Sequence, residues 1–155
     1  MINYHQLIDT LKEKKLTIST AESCTGGLIS KLITDVPGSS KVFIGGVVSY
    51  SNEMKMKWLS VKQETLAKYG AVSEQTVREM LNGIMRETGS DLAIAISGIA
   101  GPTGGTTEKP AGTVFIGVAF CDQRIVNKYH FKGIREEVRG KSAIKAVEMI
   151  QNLLR

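Results

Sequence analysis

Three apolar runs of strand length, Lys41 to Tyr50, Asp91 to Ser97 and Thr113 to Phe120, punctuate a chain whose intervening segments repeat at helical spacing. Runs of this kind, apolar on both faces, belong to strands covered by helices on both sides of a sheet. Residues 3–14 read as an amphipathic helix and Leu16 to Thr20 as a short strand. Leu28, Ile29, Leu32 and Ile33 then follow a helical period until Pro37-Gly38. Lys41 to Tyr50 reads as a buried strand, and Ser51-Asn52-Glu53 can cap a helix through Lys55 and Trp58. From Ser73 the positions of Val77, Met80, Leu81, Ile84 and Met85 describe one helix face, supported by Glu74 four residues before Arg78 and stopped by Gly89. Arg124 to Phe131 is a more polar strand, expected near an edge and paired as an antiparallel hairpin through Cys121-Asp122-Gln123. A last helix runs from about Glu136, with Ala143, Val147, Ile150 and Leu154 on one face. This alternation predicts an α/β fold: a single three-layer αβα domain over residues 1–155 with a mixed, partly parallel sheet.

The length of 155 residues suits one core, and 42% hydrophobic with 23% charged residues excludes disordered and coiled-coil classes. Cys24 and Cys121 lie far apart without a partnered spacing, against a disulfide scaffold or zinc site. No run is long enough to cross a bilayer, and MINYHQLIDTLKEKK lacks the apolar run of a secretory signal, so a cytoplasmic protein is expected. The net charge of +5 is uneven: Cys121 to Lys145 holds seven basic against three acidic side chains, or +4 of it. Composition alone leaves nucleic acid, membrane and small anion open as partners. An aromatic fraction of 6% and no nucleic-acid-binding motif rank DNA below a small anion.

Ligands in open α/β sheets sit beyond the carboxyl ends of strands, so polar or glycine-rich segments there are the places for chemistry. Ser23 stands on the first such turn, with Thr25, Gly26 and Gly27 as backbone donors able to stabilise an oxyanion; Ser23 or Thr25 as a plain N-cap is the alternative. In the second, Lys55 lies on the first turn of a helix following the strand that ends at Tyr50. A lysine kept neutral by burial can take a proton from a serine, whereas a lone exposed lysine only faces water. The third, Ser97 to Gly105, lets backbone approach a ligand and matches neither phosphate-binding glycine motif. A serine triad lacks a base, because His5 falls in the opening helix and His130 in an edge-like strand. Metal hydrolysis lacks its ligand motifs. Cys24 is a thiol candidate without a histidine partner, and Ser142-x-x-Lys145 matches a penicillin-recognising motif in the wrong chain order.

Thr20-Ala21-Glu22-Ser23-Cys24-Thr25-Gly26-Gly27, Tyr50-Ser51-Asn52-Glu53-x-Lys55, Gly70-Ala71-Val72-Ser73, and Ser97-Gly98-Ile99-Ala100-Gly101-Pro102 with Gly104-Gly105, Lys109-Pro110 and Gly112-Thr113-Val114 stand in this order. Together they resemble the CinA C-terminal domain family, whose characterised members are nicotinamide-nucleotide amidases. The resemblance implies hydrolysis of the carboxamide of nicotinamide mononucleotide to nicotinate mononucleotide and ammonia, without metal or organic cofactor. It implies Ser23 as nucleophile, Lys55 as general base and Tyr50 as an aid to proton transfer or positioning. Thr25, Gly26, Gly27, Asn52, Ser97, Gly98, Gly101, Arg135 and Arg139 are the substrate-binding candidates. Homodimers are frequent in the family, and a homodimer is expected here.

Phe131-Lys132-Gly133-Ile134-Arg135-Glu136-Glu137-Val138-Arg139 departs from the family pattern F-x-G-D-R-x-x-V-R in placing Ile134 at the Asp. The substitution removes a carboxylate partner for Arg135 from an implied phosphate site. Many relatives carry a larger pyrophosphate-hydrolysing domain ahead of this one, so a stand-alone amidase is expected. The alternative is a non-catalytic nucleotide-binding module linked to competence or DNA repair. Under either reading the local charge of Cys121 to Lys145 suits one mononucleotide better than a polymer.

Overall fold

The computed structural model describes residues 3–155. In chain order it contains α1 (Tyr4–Lys14), β1 (Ile18–Glu22), α2 (Leu28–Thr34), β2 (Phe43–Val48), α3 (Asn52–Leu59), α4 (Gln63–Tyr69), α5 (Glu74–Thr88), β3 (Leu92–Gly98), β4 (Thr113–Phe120), β5 (Gln123–His130) and α6 (Arg135–Leu153). Side-chain caps set several boundaries: Asn3 accepts the Gln6 N–H ahead of α1, Ser51 the Met54 N–H ahead of α3, and Ser73 the Thr76 N–H ahead of α5. Gly89, with φ 66°, closes α5 in the left-handed region.

The strands form one sheet in the order β2-β1-β3-β4-β5. β1 pairs in parallel with both β2 and β3, whereas β3, β4 and β5 pair antiparallel. Helices cover both faces. On one, Leu7, Ile8 and Leu11 of α1, Ile29 and Ile33 of α2, and Ala146, Val147 and Ile150 of α6 pack on Ile94, Ile96, Ile116 and Val118. On the other, Val77, Met80, Leu81 and Ile84 of α5 pack with Leu59 on Ala93, Ala95 and Ala119. Alternation along β3 thus gives large side chains to one layer and alanines to the other, which lets α5 lie close to the sheet. Gly117 of β4 continues this, since a Cβ there would meet Val77 and Leu81 within 2.8 Å. Each fully buried Leu or Ile contributes about 1.5–3 kcal/mol relative to exposure.

Several sequence expectations shift. β1 runs from Ile18 to Glu22 rather than Leu16 to Thr20, because the carboxylate of Glu22 is fully buried and hydrogen-bonded instead of ending the strand in water. The run expected to be a buried strand from Lys41 to Tyr50 begins with a short 3-10 turn, Ser39–Lys41, and forms the edge strand β2. Its burial alternates, leaving Ile44 and Val48 exposed, because no strand pairs beyond it. The seven-residue α4 has no fully buried residue, and so it carries no apolar period to be read from sequence. The β4–β5 hairpin and the polar edge strand match expectation.

Candidate active site

The carboxyl ends of the three parallel strands converge. β1 leads to Ser23, β2 to Ser49 and Tyr50 ahead of α3, and β3 to the glycine-rich loop 98–112. The chain goes from β1 outward to β2 and then back past β1 to β3, so the crevice above β1 and β3 is the point at which the winding reverses.

Lys55 is 1% exposed and Ser23 7% exposed, and their Nζ and Oγ atoms lie 3.0 Å apart. The same Nζ donates to the main-chain carbonyls of Ser49 at 2.8 Å and Tyr50 at 3.2 Å. A neutral amine has two N–H bonds and one lone pair. As the ammonium, Lys55 donates to all three oxygens; as the neutral amine, with both N–H bonds on the carbonyls, it would turn its lone pair to the Ser23 hydroxyl. Burial lowers the Lys55 pKa to about 8, with the nearby Cys24 sulfur opposing the shift slightly. No carboxylate salt-bridges this ammonium among the described residues, so burial is not offset by an ion pair. The geometry therefore holds the Lys55 amine against the Ser23 hydroxyl, and burial brings its neutral form within reach at lower pH than for an ordinary lysine.

Cys24, next to Ser23, is buried, and its thiol pKa is pushed up to about 12, chiefly by that burial. A thiol so placed is a packing group.

The turn after Ser23 differs from the sequence expectation. The first N–H groups of α2 are not directed at the cleft: Ile29 and Ser30 N–H donate to the Glu22 carboxylate at 3.0 and 2.9 Å. Gly26 N–H donates to the Ser23 carbonyl. Thr25 is fully buried beneath the turn, its hydroxyl donating to Glu22 at 2.7 Å, and neither it nor Gly26 nor Gly27 lines the cleft. Among the described residues, the Cys24, Thr25 and Gly27 N–H groups donate to no other residue, and of these three residues Cys24 lines the cleft. Gly26 (φ 61°) lies under Arg139, whose Nη2 would stand 2.8 Å from a Cβ at that position.

Tyr50, expected as an aid to proton transfer or positioning, makes two contacts at the site. Its hydroxyl accepts Arg135 Nη2 at 3.0 Å, and its carbonyl, not its ring, meets Lys55. Arg135 Nη1 donates to the Gly101 carbonyl at 2.8 Å. These two bonds orient the guanidinium without the carboxylate that Ile134 replaces, and Ile134 itself is 67% exposed. Arg139 Nη2 donates to the Thr25 carbonyl at 2.7 Å, while its buried Nε has no partner.

Two adjoining clefts result. One, of about 260 Å³, is lined by Ser23, Tyr50, Lys55, Ser97, Gly98, Gly101 and Arg135. The other, of about 710 Å³, is lined by Pro102, Ala111, Gly133, Ile134, Glu136 and Arg139, and shares Ala100, Gly101 and Arg135 with the first. Asn52, a substrate-binding candidate from sequence, is exposed at the start of α3 and lines neither. Of the basic cluster in Cys121 to Lys145, only Arg135 and Arg139 line these clefts. Arg124 binds Asn82 and the Cys121 carbonyl, and Lys145 pairs with Glu148, so the charge excess is mostly unrelated to the site.

Ala71, Val72, Ile99, Thr103 and Gly104 also line the smaller cleft. Residues 70–73 carried the only sequence signal for the first two. Lys109 Nζ ties loop 98–112 to α4 through the Tyr69 carbonyl at 2.8 Å. His5 is exposed on α1, and His130 Nε2 contacts the Ala111 carbonyl. Among the described residues no group of three His, Cys, Asp or Glu side chains is placed to hold a metal ion, and no helix is long and apolar enough to cross a membrane.

The sequence matches the CinA C-terminal domain over residues 3–154. It is 52% identical to a CinA-like protein of Thermotoga neapolitana over 149 residues, covering 96% of this chain and 36% of that protein. A CinA-like protein of Thermotoga maritima is 50% identical with the same coverage. The chain thus spans about a third of the length of these curated relatives. Among solved structures, the competence/damage inducible protein CihA of Agrobacterium tumefaciens superposes with a TM-score of 0.96 at 37% identity, covering 98% of this chain and 93% of that one. The CinA superfamily protein of Escherichia coli gives 0.94 at 35% identity, over 97% and 87%.

Proposed function

This chain belongs to the CinA C-terminal domain family, and from that premise we propose that it is an amidase that hydrolyses the carboxamide of nicotinamide mononucleotide through a Ser23–Lys55 acyl-enzyme. The observation that carries this reading is the single Lys55 Nζ held by two carbonyls and aimed at Ser23 Oγ at 3.0 Å. Ser23 Oγ attacks the carboxamide carbon while its proton passes to Nζ. The tetrahedral oxyanion is stabilised by the Cys24 N–H, which has no partner in another residue and belongs to a residue lining the cleft. Collapse expels ammonia with the proton returned by Lys55, leaving an ester at Ser23. Water, deprotonated by the same amine, then releases the carboxylate and restores the serine.

The clefts support a mononucleotide as the substrate. The smaller suits a pyridine carboxamide beside the dyad, and the larger has room for ribose and phosphate beside Arg135 and Arg139. Tyr50 acts here as a positioning group, through its carbonyl on Lys55 and its hydroxyl on Arg135. The scheme needs only the chain's own groups and water. Incubation with nicotinamide mononucleotide should release ammonia and nicotinate mononucleotide in equal amounts, and both Ser23→Ala and Lys55→Ala should stop it. Undiminished turnover in both variants sinks the mechanism.

A further inference from the structure

We propose that Glu22 is the residue that positions both halves of the Ser23–Lys55 pair, an inference that rests on the amidase reading above. Glu22 is fully buried at the last position of β1, immediately before the nucleophile. A buried carboxylate is costly unless its lone pairs are filled, and here both oxygens are. One accepts the Thr25 hydroxyl at 2.7 Å and the Ile29 N–H at 3.0 Å. The other accepts the Ser30 N–H at 2.9 Å and the Ser30 hydroxyl at 2.7 Å. The side chain thereby fastens the turn that presents Ser23 to the first residues of α2.

The main chain of Glu22 reaches the base. Its carbonyl accepts the Ser49 N–H at 2.8 Å and the Ser49 hydroxyl at 3.3 Å. The Ser49 carbonyl in turn holds Lys55 Nζ at 2.8 Å. One residue therefore connects the nucleophile turn through its carboxylate and the base through its carbonyl. Arg139, donating to the Thr25 carbonyl, presses on the same turn from α6. Nothing in this arrangement needs Glu22 to touch substrate: it is buried beneath the turn and lines neither cleft.

Glu22→Gln is the informative change. It keeps size and replaces one acceptor oxygen with an NH2 group, so that either the Ile29 or the Ser30 N–H meets a donor. The turn should shift by a fraction of an ångström, which is enough to spoil attack geometry. For nicotinamide mononucleotide, kcat should fall by roughly 10- to 100-fold with KM changed less than about threefold, the pattern of lost alignment rather than lost binding. Ile33→Val, a core change in α2 that leaves the turn alone, controls for a general loss of stability and should keep kcat at a comparable drop in Tm.

The second readout is the rate at which a fluorophosphonate labels Ser23, followed by mass spectrometry, which needs no knowledge of the natural substrate. Slow labelling in Glu22→Gln with normal labelling in Ile33→Val supports the proposal. Equal labelling and equal kcat in Glu22→Gln overturn it, as does an equal loss in Ile33→Val. A wild-type protein that labels at Ser23 without turning over nicotinamide mononucleotide sinks the substrate reading while the labelling ratio still decides the role of Glu22. A wild-type Ser23 inert to both reagents sinks the two together.

Discussion

Arg135 on α6 donates to the Tyr50 hydroxyl at 3.0 Å, joining the helix beside the larger cleft to the strand end that also carries the carbonyl anchor of Lys55. Under the amidase reading, phosphate recognition by Arg135 and positioning of Lys55 thus meet at Tyr50. Arg135→Ala should raise KM for nicotinamide mononucleotide roughly tenfold, the scale of one charge-assisted hydrogen bond. It should leave the much weaker turnover of the phosphate-free nucleoside nearly unchanged. Steady-state kinetics on both substrates check this, and an equal loss on both would show that Arg135 acts on the dyad alone.

Lys55 sets the pH dependence. With its pKa lowered to about 8, kcat/KM should rise with pH through that value as the amine becomes neutral. Stability should follow in the same direction. Below about pH 8 the folded and unfolded chains both carry the proton; between about 8 and the ordinary 10.5 only the unfolded chain keeps it, so stability rises with pH across that window. Lys55→Met should flatten this rise, measurable by denaturant unfolding at pH 7.5 and 9.5 on both proteins.

Replacing the nucleophile gives the sharpest loss. Ser23→Ala should reduce kcat by about 1000-fold or more, with substrate binding retained by calorimetry. Loss of binding together with turnover would move Ser23 from nucleophile to ligand contact.

Gly26 is required by both backbone and neighbour. Its φ of 61° costs a side chain about 1–2 kcal/mol, and a Cβ would press on Arg139 Nη2. Gly26→Ala should therefore lower Tm and lower kcat together, while Gly89→Ala, where a Cβ meets nothing within 4 Å, should lower Tm alone.

The two thiols should separate cleanly. Cys121 is exposed, whereas Cys24 is buried with a pKa near 12, so iodoacetamide at pH 8 should modify Cys121 in the folded protein and both only after unfolding. Cys24→Ala should retain most activity. A large loss in that variant would return the thiol to the mechanism.

The helix periods of α5 and α6, the hairpin and the three strand ends were legible because burial on one face leaves a regular apolar spacing. Ser23 and Lys55 were legible as candidates on strand-to-helix turns, and their pairing required the sheet order that places β2 beside β1. Glu22 was not legible as a site residue: a glutamate at a strand end reads as a boundary, and only its filled acceptors show it to be internal. The exposed face of β2 was hidden for the opposite reason, since apolar Ile44 and Val48 look buried until the strand is seen to lie at an edge. Of the backbone donors expected at Thr25, Gly26 and Gly27, the Gly26 N–H turns back to the Ser23 carbonyl, while Glu22 takes the Ile29 and Ser30 N–H groups further along α2.

Ser23 follows β1, and Ser49, whose carbonyl holds Lys55, follows β2, with Glu22 level with Val48 across the ladder. The separation of Ser23 and Lys55 is consequently a ruler cut by the sheet itself, whose strand spacing of about 4.8 Å no side chain adjusts. The irregularity between Ile18 and Ser19 in that ladder decides which residue of β2 reaches the mark. Loops above the crevice can lengthen or shorten without moving the zero of this scale. A one-residue slip low in β1, about 13 Å of strand below Ser23, would misread it.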